Sequence, residues 1–295
     1  MGIGQLKLKK KEEEPSLSFI PNVQGKIALI DGDVICYHSC PPRRVYDDET
    51  TQVVLLGEDG KRRPQEYTPE EEQAYLETAW SNLRYLLDSI HEKVYCDDKL
   101  IAMGGGKNFR DDVYPEYKQH RHRNNAFKNT TVPVLRRLAV AEGYAINADG
   151  MEADDLLCIW AGEARKIGQD YIICSVDKDL LCIPGQHYRM HKGNEKIITV
   201  DELEARRHYH EQLIKGDPTD NIPGVIGIGE KTATKLLKDC TTLDEMQTVV
   251  VDSYIKAYDG DWYNNLLMNG QLIHLLTHPG DRFTPDNWNV VKEIL

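Results

Sequence analysis

The chain has no apolar run approaching a membrane span, which takes about 20 predominantly apolar residues. Its N-terminus carries no signal-peptide h-region, and after Met1-Gly2 the sixth residue is Leu6, where a myristoylation start requires Ser or Thr. A cytosolic protein is expected. The seven cysteines, Cys36, Cys40, Cys96, Cys158, Cys174, Cys182 and Cys240, form no C-x-x-C pair. Odd in number and partly set inside apolar runs, they read as buried reduced thiols rather than a disulfide framework or a zinc site. The ten histidines show no ligand spacing either; His208 and His210 would face different sides of a helix. An excess of positive charge is also missing. The formal charge is −12, which taken alone argues against a nucleic-acid partner.

The distribution of charge says otherwise. Between Lys99 and Arg137 nine Lys and Arg stand against three acids, whereas Glu12–Glu14 and Glu70–Glu72 are acidic runs. A basic strip beside acidic clusters suits a polyanion handled by metals. The 295 residues, with 40% hydrophobic content, are enough for a full core in one large domain or two smaller ones.

Four short acidic clusters carry the chemistry. K-I-A-L-I (26–30) leads to Asp31 and Asp33, and the run 171–176 leads to Asp177 and Asp179. Glu152, Asp154 and Asp155 open a helical pattern, and Asp217 and Asp220 lie in G-D-P-T-D-N. Singly, each has a plainer explanation as a helix cap or a first-turn acid. In an open α/β sheet, however, parallel strands deliver their carboxyl ends to one crevice. So many carboxylates in one pocket call for divalent cations, and hard oxygen donors favour Mg²⁺ or Mn²⁺. On a regular helix Glu152 and Asp155 share a face while Asp154 points elsewhere. All three acids therefore ligate together only if Glu152 sits at the cap.

Along the chain, residues 1–24 read as a mobile tail. A strand at 26–31 and a short helix follow, then a charged insertion or loose hairpin at 41–68. Thr68-Pro69-Glu70 starts a helix to about His91. Further expectations are strands at 99–103, 144–147 and 171–176, helices at 132–142, 152–167 and 201–214, a short helix from Lys178, and a hairpin over 187–200. The alternation implies an α/β fold, a mostly parallel sheet wrapped by helices. Residues 25–214 form its core, with a long basic segment at 104–131, and 215–295 form a helical region.

Two further motifs point to a nucleic-acid partner. In Gly216–Ala233, Gly224, Gly227 and Gly229 permit a tight turn that presents backbone N–H groups before a helix, with Lys231 and Lys235 adding charge. A helix-hairpin-helix cradling phosphate competes with an ordinary interhelical turn and with a P-loop. Glu230 stands where a Walker motif places Lys, against the P-loop. In Asn108–Arg121 the cations Arg110, Lys118 and Arg121 interleave with Phe109, Tyr114 and Tyr117, a pattern suited to gripping phosphates and stacking unpaired bases. A solvated basic loop is the alternative.

Jointly, I-D-G-D, Y-P-E-Y-K, M-E-A-D-D, S-V-D-K-D-L-L and G-D-P-T-D-N-I-P-G-V-I-G-I-G resemble the structure-specific 5′ nucleases, flap endonucleases and 5′→3′ exonucleases of the stand-alone bacteriophage type. The resemblance spans about residues 26–240. It implies a PIN-like fold with a helical arch and a C-terminal helix-hairpin-helix, acting on DNA with a 5′ end or flap, and on RNA–DNA hybrid. It implies two Mg²⁺ ions, with Mn²⁺ able to substitute, and K⁺ at the hairpin. By the same resemblance Asp31, Glu152 and Asp154 hold the first ion. Asp155, Asp177, Asp179, Asp217 and Asp220 serve the second, and Lys118 and Arg121 contact the scissile phosphate. One departure stands out. The family's aspartate at the end of the second strand is replaced here by Met103-Gly104-Gly105-Gly106, and Asp33, Asp111 or Asp112 are the acids available to take its place.

Overall fold

The computed structural model describes residues 20–21, 23–40, 45–46, 52–53, 68–119, 131–191 and 193–295. At its centre is a six-stranded sheet of order β5-β4-β1-β6-β7-β8. The strands are β1 Lys26–Asp31, β4 Asp98–Gly104, β5 Ile146–Ala148, β6 Asp170–Ser175, β7 Gly185–Arg189 and β8 Lys196–Val200. A separate antiparallel pair, β2 (Val45–Tyr46) and β3 (Gln52–Val53), lies in the segment read as an insertion or hairpin. All contacts of the main sheet are parallel except β7 with β8.

β1 is buried on both faces because its apolar run is unbroken. Ala28 and Ile30 pack toward α1 (Gly32–Ser39), α2 (Pro69–Val94) and a later helix, Thr131–Ala141. Ile27 and Leu29 pack toward Ala153–Ile167 on the other face. α2 begins in a capping box between Thr68 and Glu71. It outruns the expected His91 because Ile90 and Val94 continue its buried stripe, and Tyr95, at φ 52°, then turns the chain. The helix expected from Lys178 is a 3₁₀ turn, Asp179–Cys182.

In chain order the remaining helices are α3 Arg110–Val113, α4 Thr131–Ala141, α5 Ala153–Ile167, α6 Glu202–Lys215, α7 Glu230–Leu237, α8 Leu243–Tyr258, α9 Trp262–Ile273 and α10 Asn289–Ile294. From α6 onward they enclose a second core around Leu213, Met246, Val250, Tyr254 and Leu266, which Tyr117 also joins. The reading of 1–24 as a tail meets an ordered end: Ile20 is buried in the core beneath α5, and Val23 N–H donates to Gln169 Oε1 at 3.1 Å. None of the seven cysteines is in a disulfide. Burial pushes the Cys36 and Cys158 thiols up to about 12. Among the described residues no helix is long and apolar enough to cross a membrane.

The parallel register delivers Asp31 (β1), Gly104 (β4), Ala148 (β5) and Ser175 (β6) to one edge of the sheet. The strand order reverses at β1, which has β4 on one side and β6 on the other. That is where open α/β sheets form their binding crevice.

Candidate metal centre and nucleic-acid interface

A cleft of about 530 Å³ opens at this edge. Eight carboxylates line it: Asp31 and Asp33 from β1–α1, Glu152 and Asp154 from the start of α5, Asp177 and Asp179 after β6, and Asp217 and Asp220 after α6. Arg110, Lys118 and Arg136 are the cations on its wall, and Arg110 is neutralised elsewhere, as described below.

Asp31 caps α1, its Oδ1 accepting from Val34 N–H at 3.2 Å, while Oδ2 accepts from Ser175 Oγ at 2.7 Å. Burial raises its pKa to about 6; the Ser175 hydrogen bond opposes this and the Asp33 charge adds to it. Asp179 is pushed to about 7 by burial, then by Asp177 and Asp217. Asp154 is raised well above the ordinary carboxylate value, first by burial and then by Asp31, Asp177 and Glu152. Burial first and the neighbouring carboxylates second thus favour the protonated form of all three acids. The turn after β6 is held by Arg189, which donates to the Val176 and Asp177 carbonyls. Gln212 Nε2 donates to Asp179 Oδ1 at 2.7 Å.

Glu152 does sit at the cap of α5, in extended backbone (φ −92°, ψ 162°). Its carboxylate accepts from Lys118 Nζ at 2.5 Å, and from Tyr117 Oη and Asn108 Nδ2, each at 3.2 Å. Lys118 Nζ also lies 3.5 Å from Asp220 Oδ2, and the backbone N–H of Lys118 donates to the Asp220 carbonyl at 2.9 Å. The ammonium thus bridges two acidic clusters at the mouth. Among the described residues no three acidic, His or Cys side chains yet converge on a single ion position. The donor chemistry fits a hard divalent cation; an ion at Glu152 requires Lys118 to withdraw from it.

Four expectations are corrected. Asp155, expected as a ligand, turns away from the cleft and is fully buried. It takes a bidentate bond from Arg110 (2.7 and 2.8 Å) and further N–H groups from Glu152 (2.9 Å) and Leu276 (3.1 Å). Arg110, expected on DNA, is 1% exposed and spends its other donors on the Leu272 and His274 carbonyls. Tyr117, expected to stack bases, is 5% exposed and steadies Glu152. Gly224, expected at the DNA surface, is buried: its N–H donates to Asn269 and its carbonyl accepts from Tyr258. Its φ of 63° and the Gly216 backbone beside it leave no room for a Cβ.

Arg121 lies outside the described residues, as does the rest of the expected arch from 120 to 130. Gly227 and Gly229 are exposed at the turn, and Lys231 and Lys235 are exposed on α7. Glu230, the residue that argued against a P-loop, lies 3.8 Å from Lys215. Of the acids proposed to replace the strand-end aspartate, Asp111 caps Asn108 N–H and Asp112 pairs with Lys107; only Asp33 faces the cleft. Arg136, Asn108 and Gln212 were not anticipated. Asn108 opens the aromatic–basic run, but nothing in sequence spacing links the other two to the site.

The description "5'-3' exonuclease, N-terminal resolvase-like domain" matches residues 67–210, and "5'-3' exonuclease, C-terminal SAM fold" matches 206–277. DNA polymerase I of Chloroflexus aurantiacus is 35% identical over 165 residues, covering 51% of this chain and 18% of the polymerase. DNA polymerase I of Bacillus subtilis is 31% identical over 220 residues, covering 67% of this chain and 25% of the polymerase. The chain thus spans about a fifth of the length of the curated relatives it matches. Among solved structures, the bacteriophage T5 D15 protein co-crystallised with metal ions aligns with a TM-score of 0.58 at 15% identity, covering 85% of this chain and 89% of that one. The T5 D15 flap endonuclease in a pseudo-enzyme–product complex with DNA and metal ions gives 0.53 at 17%, covering 85% and 88%. At such identity the two show the shared fold: a resolvase-like, PIN-type α/β core followed by a helical C-terminal region of SAM fold. The chain belongs to the structure-specific 5′ nuclease family.

Proposed function

We propose that this chain hydrolyses DNA phosphodiesters near 5′ ends, as a 5′→3′ exonuclease and 5′-flap endonuclease, with two Mg²⁺ or Mn²⁺ ions and 5′-phosphorylated products. The observation that carries the reading is the set of eight carboxylates, from four separate chain segments, in one cleft with Lys118 at its mouth. Asp31, Glu152 and Asp154 would hold one ion, and Asp177, Asp179, Asp217 and Asp220 the other. The ions, when bound, supply an activated water and neutralise charge on the phosphate. The chain's own residues do the rest. Lys118, released from Glu152, carries its ammonium to the non-bridging phosphate oxygens, where negative charge builds in the transition state. Tyr117 and Asn108 keep Glu152 oriented, and Ser175 orients Asp31. Gly227, Gly229, Lys231 and Lys235 present N–H groups and charge to the backbone of downstream duplex, with K⁺ a candidate companion at the turn.

The likeness in fold to the T5 D15 protein suits a role in phage DNA replication or host-DNA degradation in the host cytoplasm, with RNA–DNA hybrid as a further substrate. The decisive variant is Asp177→Asn, assayed on a labelled 5′ flap. Cleavage is lost while DNA affinity is retained; equal turnover by variant and parent would refute the reading. A second reading, a DNA-end binding protein that does not cut, is favoured by the side-chain-free end of β4 and by the Lys118–Glu152 pair. Absence of cleavage across a Mg²⁺ and Mn²⁺ titration would select it.

A further inference from the structure

β4 ends at Gly104, beside the start of α1. Asp33, in the first turn of α1, folds back over that glycine. Its Oδ1 accepts from Gly104 N–H at 3.3 Å and lies 3.0 Å from Arg136 Nε. A Cβ on Gly104 would come within 2.8 Å of Asp33 Oδ2. The carboxylate therefore occupies the space into which a side chain at the end of β4 would project, and it does so only because residue 104 has none.

An aspartate two residues into a helix ordinarily points to water, where it complements the helix dipole at no cost. Asp33 instead faces the acidic cleft that Asp31 and Glu152 also line, with its side chain 29% exposed. One half-exposed guanidinium is a weak return for that crowding, since solvent screens such pairs. Oδ1 is fixed by Gly104 and Arg136, and among the described residues Oδ2 takes no donor. A carboxylate held by one oxygen with the other turned to a cation-seeking cleft has the form of a ligand oriented by its supporting hydrogen bonds.

We infer that Asp33 is a further carboxylate ligand of the divalent-ion site, seated at the end of β4 by the missing side chain of Gly104 and oriented by the Gly104 N–H, with the Arg136 guanidinium as the counter-ion that a metal would replace. The inference rests on the metal-dependent reading above. Its test measures binding rather than turnover: Mn²⁺ titration of the full chain by calorimetry, with the bound ions counted by electron paramagnetic resonance. Asp33→Asn keeps the shape and the Gly104 hydrogen bond, and is expected to weaken one Mn²⁺ by about tenfold or more. Arg136→Gln removes a competing cation and is expected to bind Mn²⁺ as tightly as the parent or more so. Unchanged binding in Asp33→Asn overturns the inference, and so does an equal loss in both variants, which would make the pair a structural tether. Should Asp33→Asn fail to fold, the relocation pair D33S/G104D returns the acid to the strand end without the 2.8 Å clash. It must then bind Mn²⁺ at the parental stoichiometry, and failure to do so overturns the inference. Absence of Mn²⁺ binding by the parent itself would instead sink the metal reading underneath.

Discussion

Replacing Arg110 with alanine separates a structural arginine from a DNA-binding one. The guanidinium is 1% exposed, its partner Asp155 fully buried, and the two share parallel bonds of 2.7 and 2.8 Å. Arg110→Ala leaves a carboxylate in the interior with only the N–H groups of Glu152 and Leu276, and strips donors from the Leu272 and His274 carbonyls. Breaking a buried pair from one side costs about 3–5 kcal/mol. With an unfolding entropy of ~2.1 cal/mol/K per residue, the chain's roughly 0.6 kcal/mol per kelvin makes this a fall in Tm of about 5–8 °C. Replacing both partners by apolar residues, as in R110M/D155L, recovers most of that loss, because no charge is left stranded. Circular dichroism melts supply the first measurement, and fluorescence anisotropy with a 5′-flap DNA over a salt series the second. In the folded state at low temperature, Arg110→Ala retains the parental salt slope. An unchanged Tm with a shallower slope would show that Arg110 neutralises a phosphate, and would refute the assignment of this pair to the interior.

The metal-free protein should lose stability as pH rises from about 4 to 7. Asp31 (about 6) and Asp179 (about 7) hold protons in the folded state that the unfolded chain, at about 3.9, has already released. Melts in EDTA across that range test this, and D31N/D179N should flatten the trend; a stability that rises with pH at these sites contradicts it. By the same linkage Mg²⁺ binding at pH 6.5 expels protons, read as a buffer-dependent enthalpy in calorimetry. Gly224→Ala must push a Cβ into backbone within 2.3 Å of Gly216 N and should fold poorly. Gly227→Ala, at φ 81° in open space, costs only about 1 kcal/mol; similar melting temperatures for the two variants would contradict the close approach. K231E/K235E should weaken duplex binding and lower the salt slope by about two, with cleavage of short single strands little affected.

The sheet and its acidic edge were legible because the apolar runs of β1 and β6 each stop at an aspartate-rich turn, and parallel pairing needs no more than that to bring distant acids together. Which acid faces inward was not legible. Asp154 and Asp155 are neighbours on one helix, and the choice between them is made by Arg110, 45 residues earlier. Tyr117 and Gly224 misled for the same reason. Residue type suggested a surface role, while the partners that bury them, Glu152 for the one and Asn269 with Tyr258 for the other, come from distant segments. Asp33 was visible only as one of three candidates, because its role depends on an atom that Gly104 does not have.

Gly216 and Gly224 press their backbones together and close the segment between them into a staple, with Asp217 and Asp220 inside and the exposed turn of Gly227 and Gly229 immediately outside. Whatever strand rests on that turn is held at a set offset from the two acids, as on a ruler whose zero mark and blade are one casting. On the nuclease reading proposed above, inserting residues between Gly224 and Gly227, outside the staple, would shift where the cut falls along the strand.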